Sequence, residues 1–174
     1  PIYFGDGIVN ITGKLMQKNL PNVKKICIIL NKNVPSIFLK RLKKSLKKYN
    51  LKVFRLSVKE KTKSFKIAYK LVESLLKNNF NRSDCIIAVG GGVLGDLSAF
   101  VSSLTKRGVK FINIPTTLLA QVDASIGGKT AINSYLGKNL IGTFYQPDFV
   151  LTDISLLNSL PRREMISGYG EILK

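Results

Sequence analysis

Histidine is missing from this sequence altogether, and cysteine nearly so: Cys27 and Cys85 are the only two, each inside an apolar run. No imidazole is therefore available to ligate a metal. Thiols set in Ile26-Cys27-Ile28-Ile29 and Cys85-Ile86-Ile87 behave as small core hydrophobes, so neither a disulfide nor a cysteine-based metal site is expected. Long apolar runs are lacking too. No stretch approaches the roughly 18–20 residues that span a bilayer, and Pro1 starts neither a basic nor an apolar leader, so a cytoplasmic protein without a membrane partner is expected. Acidic residues are scarce, 10 against 28 basic ones, for a formal charge of +18. The excess lies in residues 1–80, where 19 Lys or Arg face only Asp6, Glu60 and Glu73; residues 81–174 hold nine against seven. In Lys40-Arg41-Leu42-Lys43-Lys44-Ser45-Leu46-Lys47-Lys48 the lysines flank a stripe of Leu39, Leu42 and Leu46, the pattern of a solvated helix face. Aromatic residues are not interleaved with these lysines, and no nucleic-acid motif is found, so no nucleic-acid partner is expected.

What is present describes a globular domain. The 174 residues are 45% hydrophobic with a mean hydropathy of +0.11, enough for one well-buried core and too few residues for two full domains. Short apolar runs alternate with longer amphipathic ones, which predicts βαβ units and a mostly parallel sheet. Strands are expected at 25–30, 52–56, 85–89, 109–114 and 149–152, and helices at 35–49, 64–79 and 93–104. Residues 116–146, rich in Gly, Asn, Thr and Ser, read as loops and short strands around a ligand. After Asp153 the pattern changes to a helical start at Pro161 with little inside the chain to pack against.

Gly90-Gly91-Gly92-Val93-Leu94-Gly95-Asp96 stands at the carboxyl end of a core strand. Glycines there permit positive φ and close approach, and the helix that follows offers unpaired N–H groups and its positive dipole end to a phosphate. The spacing also satisfies G-x-G-x-x-G, although no acidic residue follows about 20 positions later to hold a ribose. By itself the cluster reads either as a phosphate cradle or as a tight turn without a ligand. Other residues carry similar pairs of readings. Glu60 and Lys63 lie in a charged loop; Lys129 and Lys138 follow Gly128 and Gly137; Asp123 reads as a loop cap or a ligand; Arg107 ends a helix; Glu171 and Lys174 form an i,i+3 pair.

Taken in order, the glycine cluster, Pro115-Thr116-Thr117, Gln121-Val122-Asp123, Gly127-Gly128-Lys129-Thr130, Gly137-Lys138-Asn139 and Gln146-Pro147 resemble the core of the 3-dehydroquinate synthase family. The resemblance runs from Pro1 to Lys174. It implies an α/β, Rossmann-like NAD-binding domain over residues 1–153, and over 154–174 the first helix of a truncated all-α metal-binding domain. It implies pyrophosphate contacts at Gly92, Val93, Leu94, Gly95 and Asp96, and dinucleotide contacts at Thr116 and Thr117. Glu60 and Lys63 match the family's Gly-Glu-x-x-Lys stretch, with Val58 and Lys59 in place of its Asp-Gly. Asp123, Lys129, Lys138 and Asn139 match the nicotinamide and substrate side, Lys174 a substrate-binding lysine, and Arg107 an arginine that reaches the substrate phosphate across a dimer interface. Glu171 matches a ligand of a catalytic zinc (or cobalt), whose two histidine ligands have no counterpart here.

The implied activity is conversion of 3-deoxy-D-arabino-heptulosonate 7-phosphate to 3-dehydroquinate and phosphate in the shikimate pathway, through transient NAD-dependent oxidation, β-elimination, reduction and an intramolecular aldol. The family implies a sugar phosphate as substrate and a homodimer when the chain is complete. These residues alone are expected to be an inactive portion of that enzyme. A noncatalytic NAD-binding module and a related sugar phosphate cyclase are the alternatives.

Overall fold

The computed structural model describes residues 1–173. Six strands form one sheet: β1 (Ile2–Gly5), β2 (Lys25–Asn31), β3 (Asn50–Leu56), β4 (Cys85–Gly90), β5 (Lys110–Pro115) and, after an intervening hairpin, β8 (Phe149–Asp153). Their order is β1-β8-β5-β4-β2-β3, and each neighbouring pair is parallel. The connecting helices are α1 (Thr12–Asn19), α2 (Ser36–Ser45), α3 (Phe65–Lys77) and α4 (Gly92–Leu104).

The pleat of β2 shows why both faces are covered. Ile26, Ile28 and Leu30 point into a cluster with Met16 of α1 and Leu39 and Leu42 of α2. Cys27 and Ile29 point the opposite way, into a cluster with Leu71 and Leu75 of α3 and Leu97 of α4. A strand with side chains buried on both sides reads as a continuous apolar run, which is the reason this sheet was visible in the sequence.

Three segments differ from the sequence reading. Residues 1–24, which carry no clear periodicity, supply β1 and α1; β1 is an edge strand with alternate residues exposed and so lacks an apolar run. The helix expected to reach Tyr49 ends at Ser45, because Asn50 is already paired with Lys25 and the chain must turn back before it. Residues 116–146 are more regular than expected. A π-helical turn occupies Ala120–Ala124, and β6 (Lys129–Ser134) and β7 (Gly137–Phe144) form an antiparallel hairpin separate from the main sheet.

The last helix, α5 (Arg162–Ile172), leaves Ile166, Tyr169 and Ile172 more than half exposed. It does have one anchor. Gly168 is buried so closely on the segment before the π turn that a Cβ there would lie 2.6 Å from Leu118 Cβ and 2.8 Å from Leu119 N. Among the described residues, no helix is long and apolar enough to cross a membrane.

Candidate functional site

In this sheet the chain steps outward from β2 to β3 and then returns to place β4 on the other side of β2. The carboxyl ends of β2 and β4 thereby flank a topological switch point, where open parallel sheets form a crevice. A cleft of about 610 Å³ lies there. Asn31 and Asn33 at the end of β2, Gly91, Gly92 and Val93 at the start of α4, and Thr116 and Thr117 after β5 line it. Leu156, Pro161 and Glu164 close its far side. Asn31, the last residue of β2, and Asn33 in the turn after it are not among the residues singled out by motif; two amides following a core strand beside a switch point are the signal that marks them.

The glycines work by close approach rather than unusual backbone geometry. Gly91, the N-cap of α4, has φ −76° and ψ −175°, and the positive-φ glycines of the chain lie elsewhere, at Gly7, Gly108, Gly127 and Gly128. A Cβ on Gly90 would meet Leu94 Cδ2 at 2.5 Å, and one on Gly92 would meet Ala124 at 3.1 Å. Bare backbone lets α4 begin directly against the cleft: Leu94 and Gly95 N–H donate to the Gly91 carbonyl at 3.1 and 3.0 Å, and the N–H groups of Gly92 and Val93 before them have no intrahelical acceptor. Thr116 N–H donates to the Gly90 carbonyl at 3.0 Å, which holds the Thr pair beside that turn.

The proposed pyrophosphate residues divide. Gly92 and Val93 line the cleft, the Leu94 side chain is buried in the core, and Gly95 packs on Asn113 of β5. Asp96, one turn into α4, faces a second cleft of about 540 Å³ with Asp123, Lys129, Thr130 and Asn139. Asp123 belongs to the π turn, in which Ser125 N–H donates to the Ala120 carbonyl five residues back; such turns are rare and frequent at functional sites. Two carboxylates, an ammonium and an amide thus converge on one space.

A buried node fixes this second cleft. Lys63, 4% exposed, donates from Nζ to Asp96 Oδ2 at 2.6 Å and to Asn139 Oδ1 at 2.5 Å. Burial pushes the Asp96 carboxyl above its usual range, while the hydrogen bond and charge of Lys63 pull it back. Glu60 is exposed, and its Oε1 accepts a 2.8 Å hydrogen bond from Asn133 Nδ2. Two buried oxygens near the second cleft, Asn113 Oδ1 and Ser125 Oγ, have no protein partner among the described residues.

Lys138, Arg107 and Glu171 line neither of these clefts. Lys138 is exposed on β7 next to Asn139. Arg107 lines a different, basic cleft with Arg82, Lys110, Tyr145 and Asp148, away from the glycines. Glu171 sits on α5, and Lys174 lies outside the described residues. Among the described residues no group of three His, Cys, Asp or Glu side chains could hold a metal.

Residues 53–167 match the family defined by the 3-dehydroquinate synthase N-terminal region. The chain belongs to the 3-dehydroquinate synthase family. The 3-dehydroquinate synthase of Pelagibacter ubique is 47% identical over 173 residues, covering 99% of this chain and 47% of that protein. That of Bartonella tribocorum is 44% identical over 176 residues, covering 100% of this chain and 46% of its own. The chain therefore spans about half the length of the 3-dehydroquinate synthases it matches. Among solved structures, 2-deoxy-scyllo-inosose synthase complexed with carbaglucose-6-phosphate, NAD+ and Co2+ superposes with a TM-score of 0.91 at 28% identity, over 99% of this chain and 47% of that one. The 2-epi-5-epi-valiolone synthase of Streptomyces hygroscopicus, with NAD+ and Zn2+ bound, gives 0.87 at 26%, over 99% and 48%. A probable glycerol dehydrogenase of Sinorhizobium meliloti, at 18% identity and a TM-score of 0.76, shares the fold.

Proposed function

We propose that this chain is the NAD-binding part of a 3-dehydroquinate synthase, within a protein that converts 3-deoxy-D-arabino-heptulosonate 7-phosphate to 3-dehydroquinate and phosphate. The observation that carries the reading is the switch-point cleft in a member of this family: Gly91 to Val93 at the start of α4, faced by Thr116 and Thr117. A diphosphate suits that lining, because backbone N–H groups at a helix start and Thr hydroxyls donate to anionic oxygens without a compensating cation. NAD, when bound, supplies reversible hydride transfer that no side chain can perform.

The residues divide the work by place. Gly92, Val93, Thr116 and Thr117 hold the diphosphate, and the backbone of Leu94 and Gly95 completes the turn beneath it. Glu60 accepts from a ribose hydroxyl, and Lys63 sets Asp96 and Asn139 between nucleotide and substrate. Asp123, Lys129, Lys138 and Asn139 form the nicotinamide and substrate side, where ammonium groups bind carboxylate and phosphate oxygens of the sugar phosphate. Lys174, by the family's pattern alone, is a substrate-binding lysine. Arg107 lies in the separate basic cleft; on this reading the complete protein is a homodimer in which Arg107 reaches the substrate phosphate of a second copy.

The relatives' zinc or cobalt does not fit these residues alone. Glu171 is one carboxylate where a catalytic site needs about three protein ligands. Residues 1–153 form the nucleotide domain on this reading, and 154–174 begin a second one.

Titration calorimetry with NAD, followed by phosphate release from the heptulosonate phosphate using the full natural protein, tests the proposal. Micromolar NAD binding, lost with Gly92→Val, together with turnover that Lys129→Ala abolishes at nearly unchanged stability, is the expected result. Absence of NAD binding rejects the cleft assignment. Binding without turnover in the full protein selects the noncatalytic module.

A further inference from the structure

The hairpin β6–β7 carries Lys129, Lys138 and Asn139, yet it is not part of the main sheet and must be held over the second cleft by other means. Its ladder is regular from Lys129↔Phe144 to Ile132↔Ile141 and resumes at Ser134↔Gly137 after a register shift. The shift sets Asn133 against the segment containing Asn139, which takes φ +58°. Bulges of this kind leave backbone groups outside the ladder and re-aim side chains. Asn133 Oδ1 accepts the Asn139 N–H at 3.0 Å. The other end of the same amide, Nδ2, donates to Glu60 Oε1 at 2.8 Å and to the Glu60 carbonyl at 3.3 Å. The backbone N–H of Asn133 donates to the Lys63 carbonyl at 2.8 Å, and Asn133 pairs with Ser64 in an isolated parallel bridge.

One side chain therefore spans two motifs that are more than 70 residues apart in sequence, donating to a carboxylate oxygen of the first and accepting a bulge N–H of the second. We infer that Asn133 is a positioning residue: it aims the Glu60 carboxylate at the nucleotide ribose and fixes the Asn139 turn on the substrate side, so that the two halves of the site are set together. The inference rests on the NAD reading above. Its chemistry requires an amide. Aspartate offers the same shape and keeps an acceptor for Asn139, but it cannot donate to Glu60 and sets two carboxylates against each other. Alanine loses both contacts.

The test is a double-mutant cycle on NAD affinity, measured by calorimetry on the full natural chain, with the unfolding midpoint of each variant recorded. Glu60→Ala and Asn133→Ala should each raise the NAD Kd roughly ten-fold, the size of one hydrogen bond to a charged group. The double variant should bind no more weakly than either single one, because one side chain acts through the other. Asn133→Asp should lose as much NAD affinity as Asn133→Ala while keeping more of the parent's thermal midpoint. Losses that multiply in the double variant, or unchanged affinity in Asn133→Ala, overturn the role of Asn133 alone. Parent-like affinity in Glu60→Ala removes the ribose assignment and the inference with it, and a parent that does not bind NAD removes the reading of the cleft as well.

Discussion

Asp96 is held in two opposite directions, by burial that favours its neutral form and by Lys63, which favours the charged one. The net effect is a carboxyl that binds a proton more readily in the folded protein than at its ordinary value of 3.8. Stability from this group is therefore fully present below that value and is lost as pH rises through the raised one. The stability of the parent minus that of Asp96→Asn, from urea unfolding at a series of pH values, should fall from acid toward neutral pH; a rise would refute the balance. Removing the ammonium sharpens the effect. Lys63→Ala leaves a partly buried carboxylate without its cation, and should cost about 2–3 kcal/mol at neutral pH and carry the fall to higher pH. From the sequence, Lys63 is a charged residue at a motif position. Its burial was hidden because its partners, Asp96 and Asn139, stand 33 and 76 residues away. Asn133 was hidden for the same reason, since nothing local distinguishes a bridging amide from a loop polar residue.

At the scale of elements, legibility followed burial. The turn from β4 into α4 could be read because a six-residue strand, buried throughout, ends in glycines. The β6–β7 hairpin could be read only as short strands without bounds or pairing, because seven of the eight residues of β7 are exposed and two are glycine, which erases both the apolar alternation and the propensity signal. The helix α5 is the intermediate case: its start was visible at Pro161, and its anchor was not, since close packing at Gly168 leaves no trace in composition. That anchor is testable against an internal control. Gly168→Ala should displace α5 and, with it, Pro161 and Glu164 at the edge of the cleft, seen as faster proteolysis within residues 161–173 and weaker NAD binding. Gly170→Ala, whose Cβ would meet nothing within 4 Å among the described residues, should leave both unchanged or stabilise by about 0.5–1 kcal/mol through better helix propensity. Equal behaviour of the two variants would mean that the Gly168 contact does not hold the helix.

Across the whole molecule, the parallel sheet decides the fate of both thiols. Cys27 and Cys85 lie on adjacent strands one register step apart, with Ile26 opposite Cys85, and so point to opposite faces of the sheet. Burial pushes the Cys27 thiol up to about 12 and the Cys85 thiol well above its ordinary 9.0. Neither should react with a disulfide reagent in the native protein, and both should react together when urea unfolds it. Rapid native labelling of either would contradict the burial. The charge of the first half is disposed of at the same scale: Lys40, Arg41, Lys43, Lys44, Lys47 and Lys48 are all exposed, while Leu39, Leu42 and Leu46 beneath them are buried. Strand order was beyond the sequence, because apolar runs announce that strands are buried and not which ones are neighbours.

That order places β1 against β8, with Ile2 opposite Val150 and Gly5 opposite Asp153. As the chain emerges from a ribosome β1 must wait for β8, its partner in the sheet, while almost the whole domain is synthesised. Closure of so long a loop is intrinsically slow, and an apolar edge left open meanwhile is a template for mispairing. The β1 side of the sheet is thus closed in a single late event, and a nascent chain halted before Phe149 holds neither β1 nor the outer edge of β5 in place.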